Sequence, residues 1–322
     1  HPLGAKVMSV IIENDGNDSW RDDIQFDENF MDLEPKDMLD RIQAAGIAGL
    51  GGATFPTHVK LKPPADKPID TLLLNGVECE PYLTADHRMM LEQPQAILRG
   101  MEIIMKLVGA KTGAIGIENN KPDAIKVMRK KISELNLKFK VYSLPVKYPQ
   151  GAEKQLIDAV TGRQVPSGGL PMDVGCLVQN VGTAAAIYEA VSSNKPIIDR
   201  IVTVDGRGVE TSKNLRVRIG TPFQHVFDFC GGLQENTGKV IMGGPMMGLA
   251  QGDLSAPVIK GTSGLLAFDL KAAKRMEEWT CISCAHCVDT CPMKLMPKVL
   301  NQLVKNERFD ELETYYVLDC IE

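Results

Sequence analysis

The run Cys281-Ile-Ser-Cys284-Ala-His-Cys287-Val-Asp-Thr-Cys291-Pro292 carries the sharpest chemistry in the chain. Three thiols at two-residue intervals, then a fourth set back and followed by proline, is the spacing at which cysteinates hold a 4Fe–4S cluster. The fourth cysteine of such a run commonly ligates a neighbouring cluster. Zinc is the competing occupant, but zinc sites usually pair their cysteines across a long loop. A cluster passes single electrons, so the motif points to electron transfer. Cys320 fits the first cysteine of a second such run, whose remaining members would follow Glu322. The expected metal ligands are therefore Cys281, Cys284, Cys287, Cys291 and Cys320. Two clusters are expected in the full protein, with incomplete or absent iron in this chain.

A second pattern is Ala48-Gly49-Leu50-Gly51-Gly52-Ala53-Thr54-Phe55-Pro56-Thr57-His58-Val59-Lys60. Glycines let a backbone approach a ligand closely and turn its amides toward anionic oxygens. Lys60 adds a point charge suited to phosphate. As a dinucleotide fingerprint the run fails, because Thr54 stands at the third glycine position and the loop follows a helix. Taken alone it serves equally as a phosphate cradle or a structural turn. The same ambiguity holds for Asn75-Gly76, either a turn after a strand or a ligand contact. Phe55 could be an ordinary core aromatic, and Glu78 and Glu80 solvated loop acids.

Strands and helices must position these residues. Pro35 suits the first position of a helix in which Met38, Ile42 and Ala45 form a buried stripe. Thr71 to Asn75 is a continuous apolar run ending in Asn-Gly, expected as a buried strand. Ile97, Met101, Ile104, Met105 and Val108 space as an amphipathic helix. Ala114 to Ile117 and Phe139 to Leu144 read as strands, and Ala124 to Leu135, Gln155 to Val160 and Val181 to Val191 as helices. This alternation over residues 35–195 predicts an α/β domain on a mainly parallel sheet. Residues 196–265 change to strand-rich patterns at Ile201 to Val204, Leu215 to Ile219 and Val240-Ile241, with a short helix after Thr221-Pro222. A small α+β domain is expected there, and a helical segment around the cysteines over 266–322. Residues 1–34 hold one strand-like run, Lys6 to Ile12, expected as the remnant of a preceding β-rich domain. Both ends of the chain read as cut.

Composition excludes several classes. The net charge is −5 and aromatics make up 5% of residues, which argues against nucleic-acid binding. No apolar stretch approaches the roughly 20 residues that span a bilayer. Five of the eight cysteines lie in the last 42 residues, and the rest are isolated, as expected in a reducing compartment.

The glycine loop closely resembles the G-x-G-G-x-x-F-P-x-x-x-K segment of the flavin-bearing subunit of respiratory complex I. Asn75-Gly-Val-Glu78-Cys-Glu80-Pro81-Tyr82 and the run Gly162 to Gly175 extend the likeness. Together they resemble the C subunits of Rnf electron transport complexes over essentially the whole chain. That resemblance implies a Rossmann-like flavin domain, a small β-grasp-like ligand-binding domain and a ferredoxin-type iron–sulfur segment. It assigns the FMN-holding loop to Gly49, Gly51, Gly52 and Lys60. Asn75 and Glu78 would lie near the isoalloxazine and ribityl groups, Glu80 beside flavin and nicotinamide as the catalytic acid, and Phe55 under the NADH adenine. Gly151 and Glu153 match a G-E-E segment, and Asn180 and Thr183 an N-N-x-E-T segment. Ala152, Gln179, Gly182 and Val77 depart from the pattern, which implies looser flavin retention unless other residues supply the contacts.

The resemblance implies a peripheral subunit at the cytoplasmic face of a bacterial membrane. It would exchange electrons between NAD(H), FMN and two 4Fe–4S clusters in an ion-translocating ferredoxin:NAD oxidoreductase. Its partners would be integral-membrane and flavin/iron–sulfur subunits of the complex, with ferredoxin engaged indirectly. A cobalamin reductase-like protein and a non-catalytic docking subunit that wires electrons are the alternatives.

Overall fold

The computed structural model describes Pro2, Gly4 and residues 7–321. Its first unit runs α1 (Pro35–Ala44), α2 (Thr57–Lys60), β1 (Thr71–Asn75), α3 (Ala85–Glu92), α4 (Pro94–Val108), β2 (Thr112–Glu118), α5 (Pro122–Glu134), β3 (Lys140–Leu144), α6 (Glu153–Thr161), β4 (Cys176–Asn180) and α7 (Val181–Ser193). The four strands are parallel in the order β3-β2-β1-β4. The apolar run in β1 is buried on both faces, as a central parallel strand requires. Leu72 and Leu74 join a core built with α1, α4, α5 and α7, whereas Leu73 joins the opposite core with Leu156 and Ile157 of α6.

The second unit comprises β5 (Asp199–Asp205), β6 (Lys213–Arg218), α8 (Phe223–Phe229), β7 (Thr237–Met242), β8 (Leu249–Gln251), β9 (Gly264–Asp269) and α9 (Leu270–Ala273). Its sheet has the order β6-β5-β9-β7-β8. A β5–β6 hairpin leads into α8, and the last strand inserts in the middle, parallel to β5 and antiparallel to β7. Phe223 and Phe227 of α8 fill the core beneath it. This is a β-grasp arrangement. It moves the boundary expected at residue 265, because Gly264–Asp269 is the central strand of this sheet. The run Leu265-Leu266-Ala267 is short and followed by a helical turn, so its pattern does not separate strand from helix.

Lys6 lies outside the described residues, and residues 7–12 form no strand. Met8, Val10, Ile11 and Ile12 are exposed, and no neighbouring edge takes up their backbone groups among the described residues. The β-rich remnant expected over 1–34 is therefore absent from the described part of that span. Further on, Trp20 lies between Lys195 and Arg218, 5.7 and 5.8 Å from its ring centre, and Phe30 packs edge-on against Tyr188. Beyond α9 come α10 (His286–Thr290), α11 (Pro297–Lys305) and three short 3-10 turns. This segment touches the first unit where Gln155 Nε2 meets Met293 Sδ at 3.6 Å and Ser167 Oγ donates to Asp319 Oδ1 at 2.7 Å. Among the described residues, no helix is long and apolar enough to cross a membrane.

Where α4 crosses α7, Gly100 has no side chain, and a Cβ there would stand 1.8 Å from the Ala184 carbonyl oxygen. The two backbones can approach only with glycine at this point. Gly100→Ala is expected to cost about 3 kcal/mol, the upper range for overpacking a core, measured by urea unfolding.

Candidate functional site

In an open parallel sheet, ligands bind beyond the carboxyl ends of the strands, at the point where strand order reverses. Here that point lies between β1 and β4: β2 and β3 follow β1 on one side, and β4 joins on the other. The strands end in two asparagines that are register partners, Asn75 and Asn180. Asn75 Nδ2 donates to the Gly151 carbonyl at 2.8 Å, while its Oδ1 accepts from Val77 N at 3.2 Å. Asn180 caps α7, its Oδ1 accepting from Gly182 N at 2.8 Å and Thr183 N at 3.2 Å. The cap satisfies two of the amides that the first turn of α7 leaves without a helical partner.

The glycine loop folds against this turn. Gly49 N donates to Phe55 O at 2.9 Å, closing the loop on itself, and Leu50 N donates to Thr183 Oγ1, also at 2.9 Å. Gly52 takes φ +113°, which demands glycine. Gly49 and Gly51 are not in the left-handed region, and an added Cβ would come no nearer than 3.7 and 3.4 Å to other protein atoms. Neither backbone conformation nor crowding by protein explains glycine at these two positions. Their missing side chains leave room for a ligand. Lys60 ends α2 and forms an ion pair with Glu153 at the start of α6. Phe55 stands where the loop closes, with half its surface exposed.

The same architecture recurs in known proteins. The chain matches the Nuo51 FMN-binding domain family over residues 42–189 and the SLBB domain family over residues 201–250. It is 49% identical, over 99% of its length and 70% of the relative's, to the C subunit of the proton-translocating ferredoxin:NAD(+) oxidoreductase complex of Clostridium ljungdahlii. The C subunit of the Na(+)-translocating complex of Acetobacterium woodii is 47% identical over 99% of this chain and 72% of its own. The chain belongs to the family of C subunits of ion-translocating ferredoxin:NAD(+) oxidoreductase complexes. The C subunit of the ion-translocating oxidoreductase complex of Rhodobacter capsulatus is 40% identical over 94% of this chain, which spans 58% of that relative. Among solved structures, chains of an NAD+-reducing [NiFe]-hydrogenase in its air-oxidized and H2-reduced states share the fold. Their TM-scores are 0.62 and 0.64, with 21% and 20% identity over 74% and 77% of this chain. The chain spans about half of those solved chains, 47% and 50%.

In this member of the family the expected residues meet in smaller groups: Asn75 holds Gly151, Lys60 pairs with Glu153, the loop carrying Gly49, Gly51 and Gly52 is pinned by Thr183 beside Asn180, and Glu78 borders the start of α3. Glu80 is placed differently. Its carboxylate accepts from Met246 N at 2.9 Å and Met247 N at 2.8 Å, in the loop after β7 of the second unit. Gly244 makes room for it, since a Cβ there would stand 2.3 Å from Glu80 Cδ. The expected catalytic acid thus joins the two units. No sequence signal marks this role, because its partners are main-chain amides.

Glu78 sits in the left-handed region at φ 51° and faces the start of α3. Its two oxygens accept from Asp86 N at 2.8 Å and His87 N at 3.0 Å. Desolvation, then the nearby Asp86 carboxylate, pushes the Glu78 carboxyl up to about 8. Desolvation also raises Asp86. Lys121 and Glu118, absent from the expected set, are buried behind this loop. Lys121 Nζ reaches Glu118 Oε2 at 3.1 Å and the Val77 carbonyl at 2.9 Å. Cys79 Sγ accepts from Gly151 N at 3.3 Å, and burial raises its thiol.

The cysteine run is placed beside the first unit but not closed. Cys281, Cys284, Cys287 and Cys320 are exposed and Cys291 is half-buried. Among the described residues, no three His, Cys, Asp or Glu side chains converge as metal ligands. The donor set suits a cluster by its chemistry, four thiols at cluster spacing.

Two outcomes follow from the acids. The folded Glu78 carboxyl is raised above its ordinary value of 4.5, so its contribution to stability is whole below about 4.5 and lost as pH rises through about 8. Glu78→Gln is expected to lose less stability than the unmodified chain between about pH 5 and pH 9, by urea unfolding at each pH. Glu80→Ala is expected to leave the first unit folded and to speed amide exchange over 243–248, read by mass spectrometry.

Proposed function

We propose that this chain is the peripheral FMN- and NAD(H)-binding subunit of an ion-translocating ferredoxin:NAD oxidoreductase, passing electrons between nicotinamide and 4Fe–4S clusters. The observation that carries the reading is the pair Gly49 and Gly51, whose missing side chains are unexplained by the protein, on a loop pinned by Thr183 at the switch point. Bound FMN would supply the exchange between two-electron hydride transfer and single-electron transfer, which neither nicotinamide nor cluster performs alone.

The chain's own residues divide the work of holding it. The Gly51 and Gly52 amides, which take no protein acceptor among the described residues, and the Lys60 ammonium would hold the phosphate, with Glu153 already balancing the lysine charge. Asn75 fixes the Gly151 peptide, and Asn180 with Thr183 fixes the turn from β4 into α7 against the glycine loop. Glu78, whose carboxyl is raised by desolvation, accepts from the Asp86 and His87 amides and so holds the start of α3 beside the site. Exposed Phe55 offers a face for the adenine. Cys281, Cys284, Cys287, Cys291 and Cys320 are the cluster ligands in this reading. The partners are integral-membrane and flavin/iron–sulfur subunits of the complex, with the chain at the cytoplasmic face.

Titration of the chain with FMN, followed by quenching of flavin fluorescence, is expected to saturate at one equivalent. NADH added without oxygen is expected to bleach the bound flavin, and reconstituted full-length protein to hold acid-labile sulfide and iron. Full-length protein with no affinity for FMN overturns the enzyme reading. Bound FMN without iron in that protein overturns only the cluster assignment.

A further inference from the structure

Asp86 belongs to none of the motifs above, yet it lies where they meet. We propose that Asp86 is the positioning residue that locks the two sides of the crevice together, through Asn180. The proposal rests on the FMN reading for its consequence, though not for its geometry. Asp86 Oδ2 accepts from Asn180 Nδ2 at 2.7 Å. That contact turns Asn180 Oδ1 toward the first amides of α7, where it accepts from Gly182 and Thr183. Thr183 in turn presents Oγ1 to the Leu50 amide of the glycine loop at 2.9 Å. On the other side, the Asp86 backbone amide is held by Glu78. One hydrogen-bonded series therefore runs from the loop after β1, through α3, to the end of β4 and on to the glycine loop.

A simple helix-capping role does not account for this carboxylate. The first amides of α3 are already satisfied by Glu78, which accepts from Asp86 and His87. The Asp86 side chain is free to point across the crevice, and it does. The space it reaches is set by Gly182, where an added Cβ would stand 3.1 Å from Asn180 Oδ1, 3.3 Å from Met89 Sδ and 3.7 Å from Asp86 Oδ1. A longer side chain at 182 would compete with Asp86 and Met89 for one volume. An acid at this turn comes from α3, not from α7. Lys121 and the buried Arg200 of β5 supply the nearby positive charge. Arg200 also donates to Leu50 O at 3.4 Å, on the same loop.

The test uses the whole chain and FMN itself. Asp86→Ala is expected to weaken FMN binding roughly tenfold, the scale for removing a buried acceptor. Asp86→Asn, whose amide oxygen still accepts from Asn180, should stay within about threefold. In an Asn180→Ala background, Asp86→Ala should add little, because two residues acting through one bond are not additive. Amide exchange over 180–186 reads the lock without flavin and should quicken in Asp86→Ala but not in Asp86→Asn. Faster exchange with no FMN binding in any form overturns the flavin reading and leaves the lock standing. Unchanged exchange in Asp86→Ala overturns the lock, as does an equal loss of affinity in both backgrounds. If Asp86→Ala fails to fold, the exchanged pair Asp86→Asn with Asn180→Asp decides. Asn180→Asp alone sets two carboxylates face to face and should weaken FMN binding, the pair should restore it, and failure to restore it overturns the proposal.

Discussion

The crossover from β1 into α3, residues 76–84, is the constraint on which the remaining structure depends. Strand order reverses at β1, so the chain leaving it must border the crevice before it can turn back into a helix. Almost every residue of the crossover is tied to something distant. Lys121 takes the Val77 carbonyl, and Glu78 caps α3. Glu80 reaches the loop after β7, Tyr82 meets Phe268 edge-on at 5.2 Å, and Thr84 N donates to Thr203 Oγ1 at 3.0 Å. Two of these residues, Glu78 and Tyr82, take positive φ. Each such conformation costs about 1–2 kcal/mol for a residue with a side chain, and the fixed contacts on either side offset it. The same few residues thus form one wall of the crevice and the seam between the two units.

That double duty explains what could be read from the sequence and what could not. Strand β1 was legible because three consecutive leucines buried on both faces leave no helical alternative at that length. Helix α4 was legible because its apolar residues recur with helical period. Helix α3 was not, since only Ala85 and Met90 among its residues are buried and no stripe emerges. Strand β9 was missed for the opposite reason, a run too short and too evenly apolar to show a period. Residue type alone left the glycine loop and Asn75 between a structural turn and a ligand contact, and Asn180 entered only through the family resemblance. Glu80 was singled out through the same resemblance, but its contact with the second unit was not legible, because an acid bound by main-chain amides leaves no complementary side chain to notice. The Lys121–Glu118 pair and Asp86 escaped for a related reason: lone charges after strands and in short helices usually face water.

Charge is distributed unevenly across the crevice, and the unevenness follows from the strand order. The end nearest β1 and α3 holds Glu78 and Asp86, whose carboxyls are both raised by desolvation. Lys121 and Arg200 stand behind them, and burial pulls Arg200 down to about 10. The end nearest α2 and α6 holds Lys60, paired with Glu153, and the Gly51 and Gly52 amides, which take no protein acceptor among the described residues. Burial thus disfavours charge on the two carboxyls at the first end, while the cation at the second end is already balanced by Glu153.

Helix α6 connects this polarity to the cysteine segment. Glu153, the partner of Lys60, is its first residue, and Gln155, which contacts Met293, lies two residues on. Both contacts issue from a single helical turn. The turn starts at Ala152, which has an extended backbone and no side chain able to cap the helix, so its position is set by what its neighbours hold. Those neighbours are the Gly151 peptide, fixed on one side by Asn75 and on the other by Cys79, and the Lys60 ammonium. The first turn of α6 is consequently anchored by the crevice and not by its own cap. The Met293 contact beside the cysteine run is therefore referenced to the residues that line the crevice. The fold thus gives the crevice and the segment that carries the cysteine run one shared anchor.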